Sequence, residues 1–153
     1  MSIIASTGTQ DGMTRWQKQE FSVRLAELGT TEFINGGCIG SDEEAFILAL
    51  ALGIDLFSFY PSTIKHKQNQ FIKAIPNYGE WNDIEIMDRV VKVRKYPDRP
   101  ALERNKEIVD RCAKLIATPK EHQMSLRSGT WSTIRYAWKI KKSVLVIPPV
   151  DRD

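Results

Sequence analysis

The sequence predicts a doubly wound, mostly parallel α/β sheet of five or six strands, Rossmann-like in layout, on three observations. Short β-rich runs alternate with helical patterns from one end to the other, the order that successive βαβ units impose. Several of the runs are continuously apolar, as strands are when helices cover both sheet faces. The helical patterns open on capping or proline signals, and the first two close on glycine. At 153 residues the chain fits one domain, 1–153, with an irregular excursion at about 62–88.

Ser2 to Thr7 reads as the first strand, closed by the turn Gly8-Thr9-Gln10-Asp11-Gly12. Thr14 with Gln17 three residues on is a capping box, so a helix is expected from Arg15 to Leu28, with Phe21, Leu25 and Leu28 inward and Gly29 stopping it. Glu32 to Asn35 is a short strand running into Gly36-Gly37-Cys38-Ile39-Gly40. Ser41 and Glu44 repeat the capping-box spacing, and Asp42, Glu43 and Glu44 complement the helix dipole. The helix continues from Ala45 to Leu52, apolar nearly all round, and is expected to be buried on several sides.

Asp55 to Tyr60 forms a third strand, ended by Pro61. Residues 62–88 show no clean period and read as a long functional loop with one helical turn. Arg89 to Tyr96 is a basic fourth strand. Asp98 and Pro100 open a helix from Ala101 to Cys112, with Leu102, Ile108 and Val109 expected in the core. Lys114 to Thr118 is the fifth strand; a polar loop from Lys120 to Gly129 precedes a helix from Thr130 to Lys141, and Ser143 to Ile147 is the last strand.

Composition narrows the function classes. Apolar residues at 42% and charged residues at 27% exclude disordered and low-complexity chains. The two cysteines, Cys38 and Cys112, fit no metal spacing and no secreted disulfide scaffold, so a reducing, cytoplasmic setting is expected. No signal peptide is evident, and the longest apolar run, Ala45 to Ile54, is half of the roughly 20 residues that cross a bilayer, so no membrane partner is expected. A net charge of +3 permits a phosphate-bearing ligand without demanding nucleic acid.

In open parallel sheets, ligands sit beyond the carboxyl ends of the strands at a switch in strand order. The candidate ligand-binding residues therefore lie in the turns after strands. They are Gly8, Thr9, Gln10 and Asp11 after the first; Gly36, Gly37, Cys38, Gly40, Ser41 and Asp42 after the second; and Ser128, Gly129, Thr130 and Thr133 at the last helix start. Glycine lets backbone amides approach an anion, and a helix start offers unpaired amides. The spacing is neither GxGxxG nor a Walker loop. Arg104 and Asn105 add a cation for phosphate and an amide for ribose or base, against a plain reading as a solvated helix face. His66 and His122 read as surface residues, Cys38 as a small apolar filler, and no metal and no cofactor is expected. Lys65, His66, Lys67, Lys73, Lys92, Arg94 and Lys95 form a basic rim or ordinary solubilising charge.

Four of these motifs in order resemble a known family. Arg104-Asn105-Lys106-Glu107-Ile108-Val109, then a strand, then Ser128 to Ala137, is similar to the RNR-I-I and SG-x-x-x-T-A-x-x-A segments of the DNA-processing protein A (Smf/DprA) Rossmann domain. Asn35 to Asp42 is similar to its SGGA-x-GID turn, and Tyr60-Pro61 to its YP. The chain is accordingly identified as a single-domain member of the wider SLOG superfamily, which includes the Lonely Guy phosphoribohydrolases. The resemblance implies a nucleotide or nucleotide-derived ligand and a homodimer or higher homo-oligomer; the apolar Ala45 to Leu52 helix with Trp131 and Trp138 offers a seam for it, or else fills the monomer core. It implies two alternatives. One is a nucleoside-monophosphate N-glycosidase, for which Arg104 matches the Lonely Guy arginine while Thr133 stands where its catalytic glutamate falls and Glu121 or Asp42 would have to substitute. The other is single-stranded DNA binding, with Trp81 or Tyr78 stacking on bases.

Overall fold

The computed structural model describes residues 2–150. Strand β1 (Ile3–Gly8) leads to α1 (Arg15–Glu27), β2 (Glu32–Asn35) to α2 (Ser41–Ala51), and β3 (Leu56–Phe59) to a 3-10 turn at Lys65–Lys67 and α3 (Gln70–Ala74). A hairpin of β4 (Asn82–Ile86) and β5 (Arg89–Lys95) follows, then α4 (Ala101–Arg111), β6 (Lys114–Thr118), α5 (Gly129–Lys139) and β7 (Ser143–Val146). The sheet order is β4-β5-β3-β2-β1-β6-β7, and every pairing is parallel except β4 with β5. The chain builds outward from β1 through β2 and β3 to β5, then crosses back to add β6 and β7 on the other side. The reversal therefore falls beside β1, which is where such sheets bind ligands.

Seven strands stand where five or six were expected. The extra one is β4, inside the segment read as irregular. Its Asn-Asp-Ile-Glu-Ile turns Ile84 and Ile86 against the core and leaves Asp83 and Glu85 exposed. The hairpin signal is absent from the sequence because Met87 and Asp88 make the turn at φ 53° and 61°, where Asn-Gly is the usual pair. Within the same segment, Asn69 caps α3, its side chain accepting from the Ile72 amide at 2.8 Å.

The core lies mainly between the sheet and the α1–α2–α3 layer. Phe21, Phe33, Phe57 and Phe59 are wholly buried, and Phe46 meets Phe57 edge-on at 4.8 Å. Each buried ring is worth about 1.5–3 kcal/mol over its exposed state. A second cluster, with Ile34, Ile108, Val109 and Leu115, fills the opposite side, where α4 and α5 pack together. Leu102, expected here, is 65% exposed, because the first turn of α4 overhangs the sheet's carboxyl edge.

The two capping boxes part company. At Thr14 both halves form: its Oγ1 accepts from the Gln17 amide, and Gln17 Oε1 accepts from the Thr14 amide. At the second helix the cap position is Gly40, and neither side chain caps. Ser41 Oγ is buried without a partner, while Glu44 accepts from the Met13 amide at 2.6 Å and pairs with Lys18. Tertiary contact with the β1–α1 turn overrides the local pattern. Along α2, Ala45, Phe46, Ala49 and Leu50 are buried, while Ile47 and Leu52 are exposed. Trp131 is buried and Trp138 is half exposed.

Candidate functional site

At the carboxyl edge of the sheet, beside β1, lies a cleft of about 390 Å³. Its floor is the end of β1, Ser6 to Gly8, continued by Thr9, Gln10 and Asp11. Gly36, Cys38 and Asp42 enter from the β2–α2 turn, and Ser128, Gly129 and Thr130 from the start of α5. Ala101, Arg104, Asn105 and Ile108 line the wall at successive positions of one face of α4. Twelve of the sixteen sequence-predicted residues thus meet in one cavity. The other four, Gly37, Gly40, Ser41 and Thr133, do not line it.

Each of the four is turned to internal work. The Gly37 amide donates to Asn35 Oδ1 at 2.9 Å, and the Ser41 amide to the Thr9 carbonyl at 3.0 Å. Gly40, at φ +82°, lies so close to the Gln10 carbonyl that a Cβ would collide with it. Thr133 is 2% exposed and its hydroxyl donates to the Gly129 carbonyl one turn back.

The β2–α2 turn spends its backbone donors inside the protein. Besides Gly37 and Ser41, the Cys38 amide donates to Asp42 Oδ2 at 3.2 Å and the Ile39 amide to the Lys67 carbonyl at 2.8 Å. Returning along the same edge, the Asn69 amide donates to the Gly37 carbonyl. Asn35, wholly buried, donates to Ser6 Oγ and to the Asp42 carbonyl, pinning the turn to β1. The amides of Gly37, Cys38, Ile39 and Ser41 are thus taken by protein acceptors. Among the described residues that line the cleft, Gln10, Gly129 and Thr130 have backbone amides that meet no protein acceptor. Ser128 caps α5 through the Trp131 amide at 3.2 Å, and the first two helical amides are left open.

Arg104 sits at the junction of three elements. Its NH1 donates to the carbonyls of Tyr60 at 3.1 Å and Gly36 at 3.4 Å, its NH2 to Cys38 Sγ, and its Nε to Asn105 Oδ1 at 2.6 Å. Four of the five guanidinium donors are engaged, so its charge faces the cleft while one N–H remains to meet a ligand. Glycine at 36 is what lets the guanidinium come this close. Burial pushes the Asp42 carboxyl above the usual carboxylate range, against the pull of Arg104. Burial likewise raises the Cys38 thiol, with Asp42 adding to the shift, which makes it a poor nucleophile.

Residues outside the predicted ligand-binding set complete the lining: Ser62, Ile64 and Lys67 after β3, and Lys120 and Glu121 after β6. The readable signal was their position just past a strand and its proline. Lys120 is tied to Asp11 at 2.6 Å across the rim. His66 and His122 are exposed and line nothing, and among the described residues no group of three or more His, Cys, Asp or Glu could hold a metal. Trp81 lies away from the cleft, over the Arg94 guanidinium at 4.0 Å, and Tyr78 lies over Lys95.

No protein-family model and no curated protein matches the chain. Solved structures do. DNA processing protein A (DprA) from Streptococcus pneumoniae aligns over all of this chain, at 19% identity and a TM-score of 0.66. The chain spans 52% of that protein's length. The molybdenum cofactor binding protein from the phototrophic bacterium Rippkaea orientalis aligns over 96% of this chain and 76% of its own, at 18% identity and a TM-score of 0.64. The structural-genomics protein TM1055 aligns over 94% of this chain and 72% of its own, at 15% identity and a TM-score of 0.57. These likenesses show the class by fold: a Rossmann-like α/β fold like that of DNA processing protein A. No helix among the described residues is long and apolar enough to cross a membrane.

Proposed function

We propose that the cleft binds a nucleotide or nucleotide-derived molecule, with a phosphate on the amides of Gln10, Gly129 and Thr130. The observation that carries this reading is the open pair of amides at the start of α5, facing the carboxyl end of β1 at the reversal in strand order. Such amides and the helix dipole favour an anion. Arg104 and Lys67 offset its charge, and the Asn105 amide group is left to reach ribose or base. Two neighbours of the same fold support the reading by their names, one a DNA-processing protein and the other a cofactor-binding protein. The glycosidase alternative draws no support from the geometry, since Thr133 is buried and four of the five Arg104 donors are engaged within the protein.

Calorimetric titration against mono-, di- and cyclic nucleotides tests the proposal, and a Kd below about 1 mM for at least one of them is the expected result. Failure across that range refutes it. An oligonucleotide that binds with a steep loss of affinity at high salt, where free nucleotides do not bind, moves the function to single-stranded DNA.

A further inference from the structure

We infer that Asn105 selects the base of the ligand by donating to a carbonyl oxygen, an assignment that rests on the nucleotide reading above. Asn105 lines the cleft from α4, on one helix face with Ala101 and Ile108, while Leu102, Glu103 and Lys106 of the outer face are exposed. Its Oδ1 accepts from Arg104 Nε at 2.6 Å. An arginine N–H can only donate, so the Asn105 atom turned to Arg104 is the oxygen, and the nitrogen is left over. Arg104 is itself held, NH1 by the Tyr60 and Gly36 carbonyls and NH2 by Cys38 Sγ, so this orientation is fixed from behind. Among the described residues Asn105 Nδ2 meets no acceptor. It is not one of the sealed polar atoms either, so it keeps accessible surface in a residue that lines the cleft. The α4 wall thus presents hydrogen-bond donors set among apolar side chains, with its side-chain acceptor already occupied.

Ile64 joins Ala101 and Ile108 in the lining. A sugar or phosphate against such side chains loses water without replacement, whereas a base buries its flat face and keeps its polar atoms at the ring edge. At about 390 Å³ the cleft lies at the small end of ligand pockets, which run roughly 300–1,000 Å³, so it takes one base and not a chain of them. The base belongs on the α4 wall, with its edge at Asn105. A carbonyl oxygen there accepts from Nδ2. An exocyclic amino group in its place sets donor against donor and leaves both unpaired, at the cost of a hydrogen bond unmade on desolvation. Asn105 is therefore a specificity residue that favours oxo bases over amino bases.

The test uses two matched pairs, 5′-IMP with 5′-AMP and 5′-UMP with 5′-CMP, each exchanging an oxo group for an amino group at one ring position. All four are titrated calorimetrically into the wild-type chain and into Asn105→Ala and Asn105→Asp. The wild type is expected to bind the oxo member of at least one pair more tightly by about fivefold or more. In Asn105→Ala that preference falls to about twofold or less, because the donor has gone. Asn105→Asp keeps an oxygen for Arg104 Nε and puts an acceptor in place of Nδ2, so the preference turns toward the amino member. This variant is the readout if the alanine variant does not fold. The ratio within a pair is what is read, so a loss of affinity common to both members does not enter. A smaller wild-type preference in both pairs, or one for the amino members, overturns the assignment while leaving nucleotide binding intact. So does a preference that both substitutions leave unchanged. If none of the four nucleotides binds the wild type, the nucleotide reading falls and the assignment with it.

Discussion

Two turns border the same cleft and treat their backbones in opposite ways. The β2–α2 turn holds three glycines, yet the amides of Gly37, Cys38, Ile39 and Ser41 all donate to protein acceptors. The turn into α5 has one glycine between Ser128 and Thr130, and it leaves two amides open. The difference lies in what flanks each turn. The first is pressed between the β1–α1 turn and residues 67–69, which supply carbonyls on both sides. The second follows the loop after β6, and among the described residues no acceptor meets its Gly129 and Thr130 amides. Glycine richness at a helix start therefore marks where chain segments come close, and the segment that comes close can be the protein itself.

The largest expected effect breaks the first turn. Gly40→Ala places a Cβ against the Gln10 carbonyl at a backbone conformation that side chains rarely adopt, and it is expected to cost about 3 kcal/mol or more. Urea unfolding measures it. A loss below about 1 kcal/mol would mean that the two turns are not packed as described.

Gly129→Pro sharpens the second turn. Position 129 opens α5, has open space where a side chain would go, and follows Ser128 in extended conformation at ψ 127°, all of which suit proline. Stability should change by less than about 1 kcal/mol, because no internal hydrogen bond is lost. Affinity for 5′-AMP should fall about tenfold, because one of the open amides is gone. Unchanged affinity in calorimetry would separate the open amides from ligand binding.

The smallest expected signal is a slope with pH. Burial raises the Asp42 carboxyl in the folded state, so the folded chain holds that proton more tightly than the unfolded chain does. The resulting stability is fully present below the unfolded value near about 4 and is lost as pH rises through the folded value. Asp42→Asn removes that loss. The stability of the variant relative to the wild type should climb above pH of about 4 and level off once Asp42 is ionised in the folded chain. A flat or falling difference in denaturant titrations at several pH values would contradict the role given to burial.

The legible part of the fold was its periodic part. The apolar runs at Ile3-Ile4-Ala5, Phe33-Ile34 and Leu115-Ile116-Ala117 identified central parallel strands, and all three lie side by side around β1. Strand β4 was not legible, since Met87-Asp88 carries no turn signature and the pairing with β5 supplies what the local sequence lacks. The site divides along the same line. Gly8 to Asp11, next to a strand end, and Ser128 to Thr130, at a helix start, were picked by position and line the cleft. Lys67 and Glu121 were not singled out as ligand-binding, although both line the cleft.

What the chain's own order determined is the alternation of strand and helix, the buried strands beside β1, and the edge where a ligand would sit, because period and capping are local properties of neighbouring residues. What only the tertiary structure decided is the fate of individual polar groups: which amides are consumed, that Ser41 and Glu44 abandon a cap for contacts with the β1–α1 turn, and that Arg104 spends its donors on two strand ends. A hydrogen bond is settled by the nearest acceptor in space, and for these groups that acceptor comes from residues distant in the chain.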